Sequence, residues 1–175
     1  DDEETYAAIV PQMESWRDMT LVLRGERIVV DGIGFAAVGR LKLLQLLQAR
    51  ARSVGVAPVY GRAVQSLGDL KDFDLVIGAD GVNSLVRRSH AEGFGAGVRY
   101  LSNRFAWFGT AKRFETLTQT FADTELGAFN AHHYRYAAGQ STFIVEVDEA
   151  TFTRAGFASM TDADARALCE RVFTE

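Results

Sequence analysis

The spacing of apolar side chains changes character along this chain, and the change predicts its architecture. Leu43, Leu47, Ala51 and Val54 recur at spacings of four, four and three, which stacks them on one face of a helix over 40–54. Gly55 follows where a helix-ending residue belongs. Earlier, residues 4–16 read as a short helix interrupted near Pro11, whose missing N–H breaks the ladder. Residues 19–30 read as a hairpin: Thr20, Val22 and Arg24 alternate with Leu21 and Leu23, the turn falls at Gly25-Glu26, and Ile28-Val29-Val30 return. Short strands are expected at 35–38, 56–60 and 62–66. Leu75-Val76-Ile77 is continuous rather than alternating, the pattern of a strand covered on both faces in a parallel sheet. A short helix over 83–90 should follow it.

The second half is richer in aromatic and β-branched residues. Segments 104–108, 116–121, 128–136 and 142–147 read as successive strands, with Gly127 and Gly139 marking turns. Helices are expected over 149–157 and 162–172, the latter with Thr161 as N-cap. The expected fold class is therefore mixed α/β and α+β. Residues 1–92 form a Rossmann-like α/β part and 93–175 a largely antiparallel sheet with the helices that follow it. The hairpin at 19–30 is a candidate to join that second sheet.

Composition narrows the function classes. The 175 residues are 47% hydrophobic and 24% charged, with a formal net charge of -4, the balance of a globular protein and not of a nucleic-acid binder. A single cysteine, Cys169, rules out an intrachain disulfide or a thiolate cluster and fits a reducing, cytoplasmic setting. His90, His132 and His133 lack metal-ligand spacing. No apolar run approaches the roughly 20 residues of a membrane span, and no signal peptide is visible. The chain opens on Asp1 without Met and closes within a helical pattern, so a piece of a longer protein is expected.

Two places could carry chemistry. Asp80-Gly81 is a common turn dipeptide, but here it follows the expected buried strand and precedes a short helix. That is where α/β sheets bind ligands. Gly81 lets a backbone approach a ligand closely, Asp80 can accept hydrogen bonds from a ribose or ribityl hydroxyl, and Arg87 can reach a phosphate or carboxylate. The second place is Arg40, which follows Gly39 and opens the 40–54 helix. A cation there opposes the helix dipole, at a cost of ~0.3–1 kcal/mol, and a bound anion would remove the conflict. A solvated surface arginine is the competing reading.

The run Gly78-Ala79-Asp80-Gly81-Val82-Asn83-Ser84-Leu85-Val86-Arg87 resembles the second fingerprint of the FAD-dependent aromatic hydroxylases, the p-hydroxybenzoate hydroxylase-like flavoprotein monooxygenases. The resemblance implies that Asp80 supports FAD and nicotinamide-nucleotide binding, that Gly81 lies close to the flavin nucleotide, and that Arg87 lies near the nicotinamide path. Arg40, Leu43 and Leu47 are similar to the family's helix that contacts the FAD diphosphate and ribityl region. The glycine-rich dinucleotide loop and the late Gly-Asp-Ala motif are absent, so the resemblance covers the middle of the family fold. Trp16-Arg17-Asp18, Arg24-Gly25-Glu26-Arg27 and Gly32-Ile33-Gly34-Phe35 are similar to the aryl-CoA hydroxylase branch, which includes salicylyl-CoA 5-hydroxylase and 2-aminobenzoyl-CoA monooxygenase/reductase.

The resemblance implies an oxidoreductase that uses FAD, NAD(P)H and dioxygen to hydroxylate an aromatic small molecule, with a coenzyme A thioester as a candidate form. The fragment alone is expected to be inactive. Phe105, Trp107, Phe108, Phe121, Phe129, Tyr134 and Tyr136 are candidate pocket walls as well as ordinary core. His132 and His133 are adjacent on an expected strand, so at most one can face a pocket. Lys112-Arg113 could meet an acidic part of a substrate or form a solvated charge pair. No catalytic residue is assigned. The alternatives are another flavoenzyme of the same fold, an isoprenoid-chain reductase or a halogenase, or a non-enzymatic binding module.

Overall fold

In a computed structural model, residues 2–174 are described. They divide into two compact units, one formed by the chain up to Val56 and from Ser102 onward, the other by Ala57–Leu101. The class is mixed α/β, with sheets of mixed strand orientation.

The larger unit opens with helix α1 (Glu3–Ile9), capped by the Asp2 carboxylate, which accepts from the Thr5 backbone N–H. Pro11 diverts the chain into a short 3-10 turn, Val10–Gln12. The helix expected up to residue 16 does not resume. Glu14–Trp16 is instead strand β1, because its backbone finds a partner in β4 (Phe35–Ala37), antiparallel to it. Between them lies the hairpin of β2 (Met19–Leu23) and β3 (Glu26–Val30). Its turn is Arg24-Gly25, one residue earlier than expected. Both residues have positive φ, 53° and 78°, the combination that suits the twist of a two-residue hairpin.

Helix α2 (Arg40–Ser53) follows. Arg50 ties it to α1 through a forked pair with Asp2, 2.8 and 3.0 Å, and a contact to Glu4. The Arg50 guanidinium draws the Asp2 carboxyl down to about 2.

The main sheet also contains β5 (Arg104–Thr110), β6 (Leu117–Thr124), β7 (Gly127–Ala137) and β8 (Gln140–Val147), in the order β3-β2-β6-β7-β8-β5. All its pairings are antiparallel except β2 with β6, which run parallel and bring Thr20 beside Thr118. Helices α4 (Glu149–Ala155) and α5 (Asp162–Val172) cover one face. That face presents Phe129, Ala131, Val145 and Val147, which pack with Cys169 and with the rings of Phe152, Phe157 and Phe173. Thr161 caps α5 by accepting from the Asp164 N–H, 3.2 Å. Burial raises the Cys169 thiol to about 11, which keeps it protonated inside this core.

The smaller unit holds a 3-10 turn, Leu67–Leu70, closed by a Ser66–Asp69 capping box, and the helix α3 (Leu85–Ser89). The strands expected at 56–60, 62–66 and 75–77 are not formed. Leu75 and Ile77 are 76% and 79% exposed. A buried parallel strand takes its hydrogen bonds from neighbouring strands and its burial from layers above and below. Among the described residues none pairs with these segments.

Among the described residues, no helix is long and apolar enough to cross a membrane, and no cluster of His, Cys, Asp and Glu is arranged to hold a metal ion.

Phe129 is 1% exposed at the centre of the helix-covered face. Phe129→Ala should lower unfolding free energy by about 3–5 kcal/mol, the usual cost of an aromatic-sized cavity, as read by urea denaturation followed by circular dichroism.

Candidate functional site

The turn before α3 is built by its own side chains. Asp80 accepts from the Ser84 hydroxyl (2.5 Å) and from the Leu85 and Val86 backbone N–H groups (2.5 and 3.4 Å). Ser84, itself buried, is the N-cap and accepts from the Arg87 N–H at 3.0 Å. The carboxylate is held below its ordinary range, first by the Ser84 hydroxyl and then by these backbone donors. Gly78 packs so closely on Val86 that an added Cβ would lie 2.7 Å from it. Gly81 turns the chain at φ 78°, and no atom outside Gly81 and its two chain neighbours lies within 4 Å of where its Cβ would be. The Arg87 guanidinium folds back onto the Val82 carbonyl, and that of Arg88 onto Asn83.

Three of the four sequence-predicted site residues, Asp80, Gly81 and Arg87, thus share one turn-and-helix element. Arg40 belongs to the other unit. It opens α2 behind Gly39, which supplies no side-chain cap, and the first turn has no acidic residue. No ion pair among the described residues engages Arg40. The α2 N-terminus therefore combines free backbone donors with a cation, which suits an anion.

The sheet supplies the other candidate surface. Pairing across all six strands aligns Ile28, Leu21, Gln119, His132, Ile144 and Trp107 in one row on the face opposite α4 and α5. This face carries exposed aromatics, Phe105 at 70% and Trp107 at 67%. Beside it Trp16, Phe35 and Tyr134 form an aromatic cluster with centroids 6.1–6.4 Å apart. Tyr136 packs against Gly39, next to Arg40. Of the candidate wall residues, Phe105, Trp107, Phe121 and Tyr134 lie on the open face. Phe108 and Phe129 belong to the core on the covered face. Trp16 and Phe35 were missed as members of this cluster. Both stand in segments similar to the aryl-CoA hydroxylase branch, whereas the β1–β4 pairing that joins them is not visible locally.

The adjacent histidines divide as strand alternation requires. His133 faces the covered side, between Phe114 and Phe143 (centroids 4.1 and 4.8 Å), with its Nε2 at 3.2 Å from the Thr120 hydroxyl. Burial, helped by Lys112 and Arg27, lowers it to about 4. It lines a cavity of about 540 Å3 with Thr20, Thr118, Phe114, Phe143 and Phe173. Lys112 and Arg113 stand at this cavity, not on the open aromatic face. His132 points to the open face, and no hydrogen bond or ring contact among the described residues engages it.

No family model matches the chain. Its fold is shared with PqsL of Pseudomonas aeruginosa: a four-substitution variant of that protein superposes with a TM-score of 0.68 at 15% identity, covering 96% of this chain and 51% of that one. A second PqsL structure, described as a probable FAD-dependent monooxygenase, gives 0.58 at 15% identity, with 95% and 51% covered. A third, in complex with 2-aminobenzoylacetate, gives 0.57 at 15% identity, with 82% and 45% covered. At 15% identity the likeness to these structures is one of fold.

Curated relatives are closer in sequence. The chain is 44% identical over 141 residues to a salicyloyl-CoA 5-hydroxylase from a Streptomyces species, covering 81% of this chain and 27% of that protein. It is 33% identical over 136 residues to the 3-hydroxy-4-methyl-anthranilyl-[aryl-carrier protein] 5-monooxygenase of Streptosporangium sibiricum (78% and 38% covered). It is 32% identical over 160 residues to the protodeoxyviolaceinate monooxygenase of Chromobacterium violaceum (89% and 42%). The chain spans about a quarter to two fifths of the length of these relatives. Over the part of those proteins that it spans, the chain is similar to enzymes named as a hydroxylase and two monooxygenases.

Two predictions follow from the site's electrostatics. Asp80→Ala should speed hydrogen exchange at the Leu85 and Val86 amides. In the parent sequence the same amides should lose protection as pH falls through the lowered Asp80 pKa, because only the carboxylate form accepts from them. His133 stays neutral when folded down to about pH 4, whereas the unfolded imidazole protonates near 6.5. Between these values the unfolded state binds more protons, so stability should fall as pH drops from 6.5 toward 4 and level off below. The loss should be on the order of 3 kcal/mol. Urea titrations of His133→Phe should lack this component.

Proposed function

We propose that the full-length protein containing this chain hydroxylates an aromatic acyl group, carried as a thioester, using FAD, NAD(P)H and dioxygen. The similarity to salicyloyl-CoA 5-hydroxylase over 81% of the chain carries this reading. The second relative's name also describes an aryl group on a carrier, which favours thioester-borne substrates such as coenzyme A derivatives.

The residues present fit the cofactor. The uncapped α2 N-terminus with Arg40 matches an anionic diphosphate. The open side of Gly81 leaves room for close approach to a nucleotide, and Asp80 holds that turn in shape. In this reading Arg40, Asp80, Gly81 and Arg87 hold FAD or guide the nicotinamide nucleotide. Residues 1–92 contribute to the FAD-binding part and 93–175 to the substrate part, in a cytoplasmic enzyme. FAD, when bound, supplies the redox chemistry linking NAD(P)H, dioxygen and the ring. The chain's own work is to orient the ring against the open aromatic face and to exclude water from it.

The full-length protein should consume NAD(P)H faster when salicyloyl-CoA is added, and hydroxylated product should accumulate. Asp80→Ala should slow flavin reduction by NAD(P)H at least tenfold in stopped-flow absorbance, since it disorders the turn. Unchanged reduction in this variant would remove Asp80 from the nucleotide site.

A further inference from the structure

We propose that His132 determines substrate specificity by hydrogen bonding the ring hydroxyl or amino group of the bound aromatic acyl substrate. The proposal rests on the hydroxylase reading above and assigns a role to one residue of the open face.

The geometry singles out this residue. His132 sits on β7, which is paired along both edges, so its backbone position is fixed from two sides. In the row that crosses all six strands its neighbours are Gln119 on one side and Ile144 on the other, with Trp107 beyond. The flanking apolar groups provide a surface for a flat ring, while the imidazole provides a donor and an acceptor in its middle. The acidic groups of this face are placed differently. Glu146 is engaged by the Asn103 side-chain amide at 2.7 Å, and Glu26 and Asp123 lie toward the strand ends. The imidazole has no partner among the described residues, whereas His133, its neighbour in sequence, is enclosed between two phenyl rings and bonded to Thr120.

A half-buried imidazole beside Ile144 discriminates by what it would lose. A ring bearing a hydroxyl or amino group satisfies it, whereas an unsubstituted ring takes away its water and returns nothing. The relatives' names, salicyloyl and anthranilyl, describe rings with such a substituent.

The test measures binding, which separates it from turnover. Salicyloyl-CoA and benzoyl-CoA are titrated into the full-length flavin-loaded protein, its His132→Ala and His132→Gln variants, and His133→Phe as a control, with Kd read from the change in flavin absorbance. The parent protein should prefer salicyloyl-CoA by about three- to tenfold, the worth of one hydrogen bond. His132→Ala should erase the preference, in part by tightening benzoyl-CoA binding, His132→Gln should keep part of it, and His133→Phe should keep it whole. If the parent discriminates and His132→Ala discriminates equally, the His132 role is overturned and the hydroxylase reading stands. If the parent binds neither thioester, the thioester-hydroxylase reading fails and the His132 role with it.

Discussion

β7 is hydrogen-bonded to β6 along one edge and β8 along the other, so each of its side chains is committed to one side of the sheet. That constraint organises the larger unit. Phe129 and Ala131 go into the core, His133 faces the same side of the sheet and lines the cavity, and Asn130, His132 and Tyr134 go to the open face. The two histidines differ by one residue and by nearly everything chemical. One is desolvated and neutral, and the other stands free among exposed aromatics. A register slip of one residue would exchange them, placing Phe129 in water and Asn130 in the core.

The segment 78–87 shows why a fingerprint can be strict without every residue touching a ligand. Asp80 spends its carboxylate on Ser84, Leu85 and Val86, and Gly78 exists to let Val86 close in. Most of the pattern therefore specifies a turn of fixed shape. What that turn offers outward is the bare backbone at Gly81 and the flank of α3. In the proposed function, Asp80 therefore serves the nucleotide through the loop it holds rather than by direct hydroxyl recognition.

Much of the larger unit was legible because local pattern and final environment agree there. The aromatic strands, the Thr161 cap and the helix beginning at Arg40 all carry their own signals. The β1–β4 pairing was not, since three-residue strands have no periodicity and Glu14–Trp16 follows a helix without a break in composition. Leu75–Ile77 failed for the opposite reason. Its apolar run encodes a place between two covered faces, and the described residues supply neither cover nor partner. For the candidate site, the type of residue at Arg40 and at Asp80–Arg87 was readable. Which histidine faces outward, and the company of Trp16, Phe35 and Tyr134, depended on registers set by distant strands.

The parallel joint between β2 and β6 has a consequence for how the protein is made. Thr20 meets Thr116 across 96 positions of sequence, through hydroxyls 2.8 Å apart. On a ribosome adding roughly 5–20 residues per second, the β2–β3 hairpin emerges roughly 5–20 s before the strand it must join. Throughout that interval the free edge of β2 is a template for any other extended chain. The nascent polypeptide carries an unpaired edge through that interval, so dilution, which lowers the number of other extended chains that meet it, favours the native sheet.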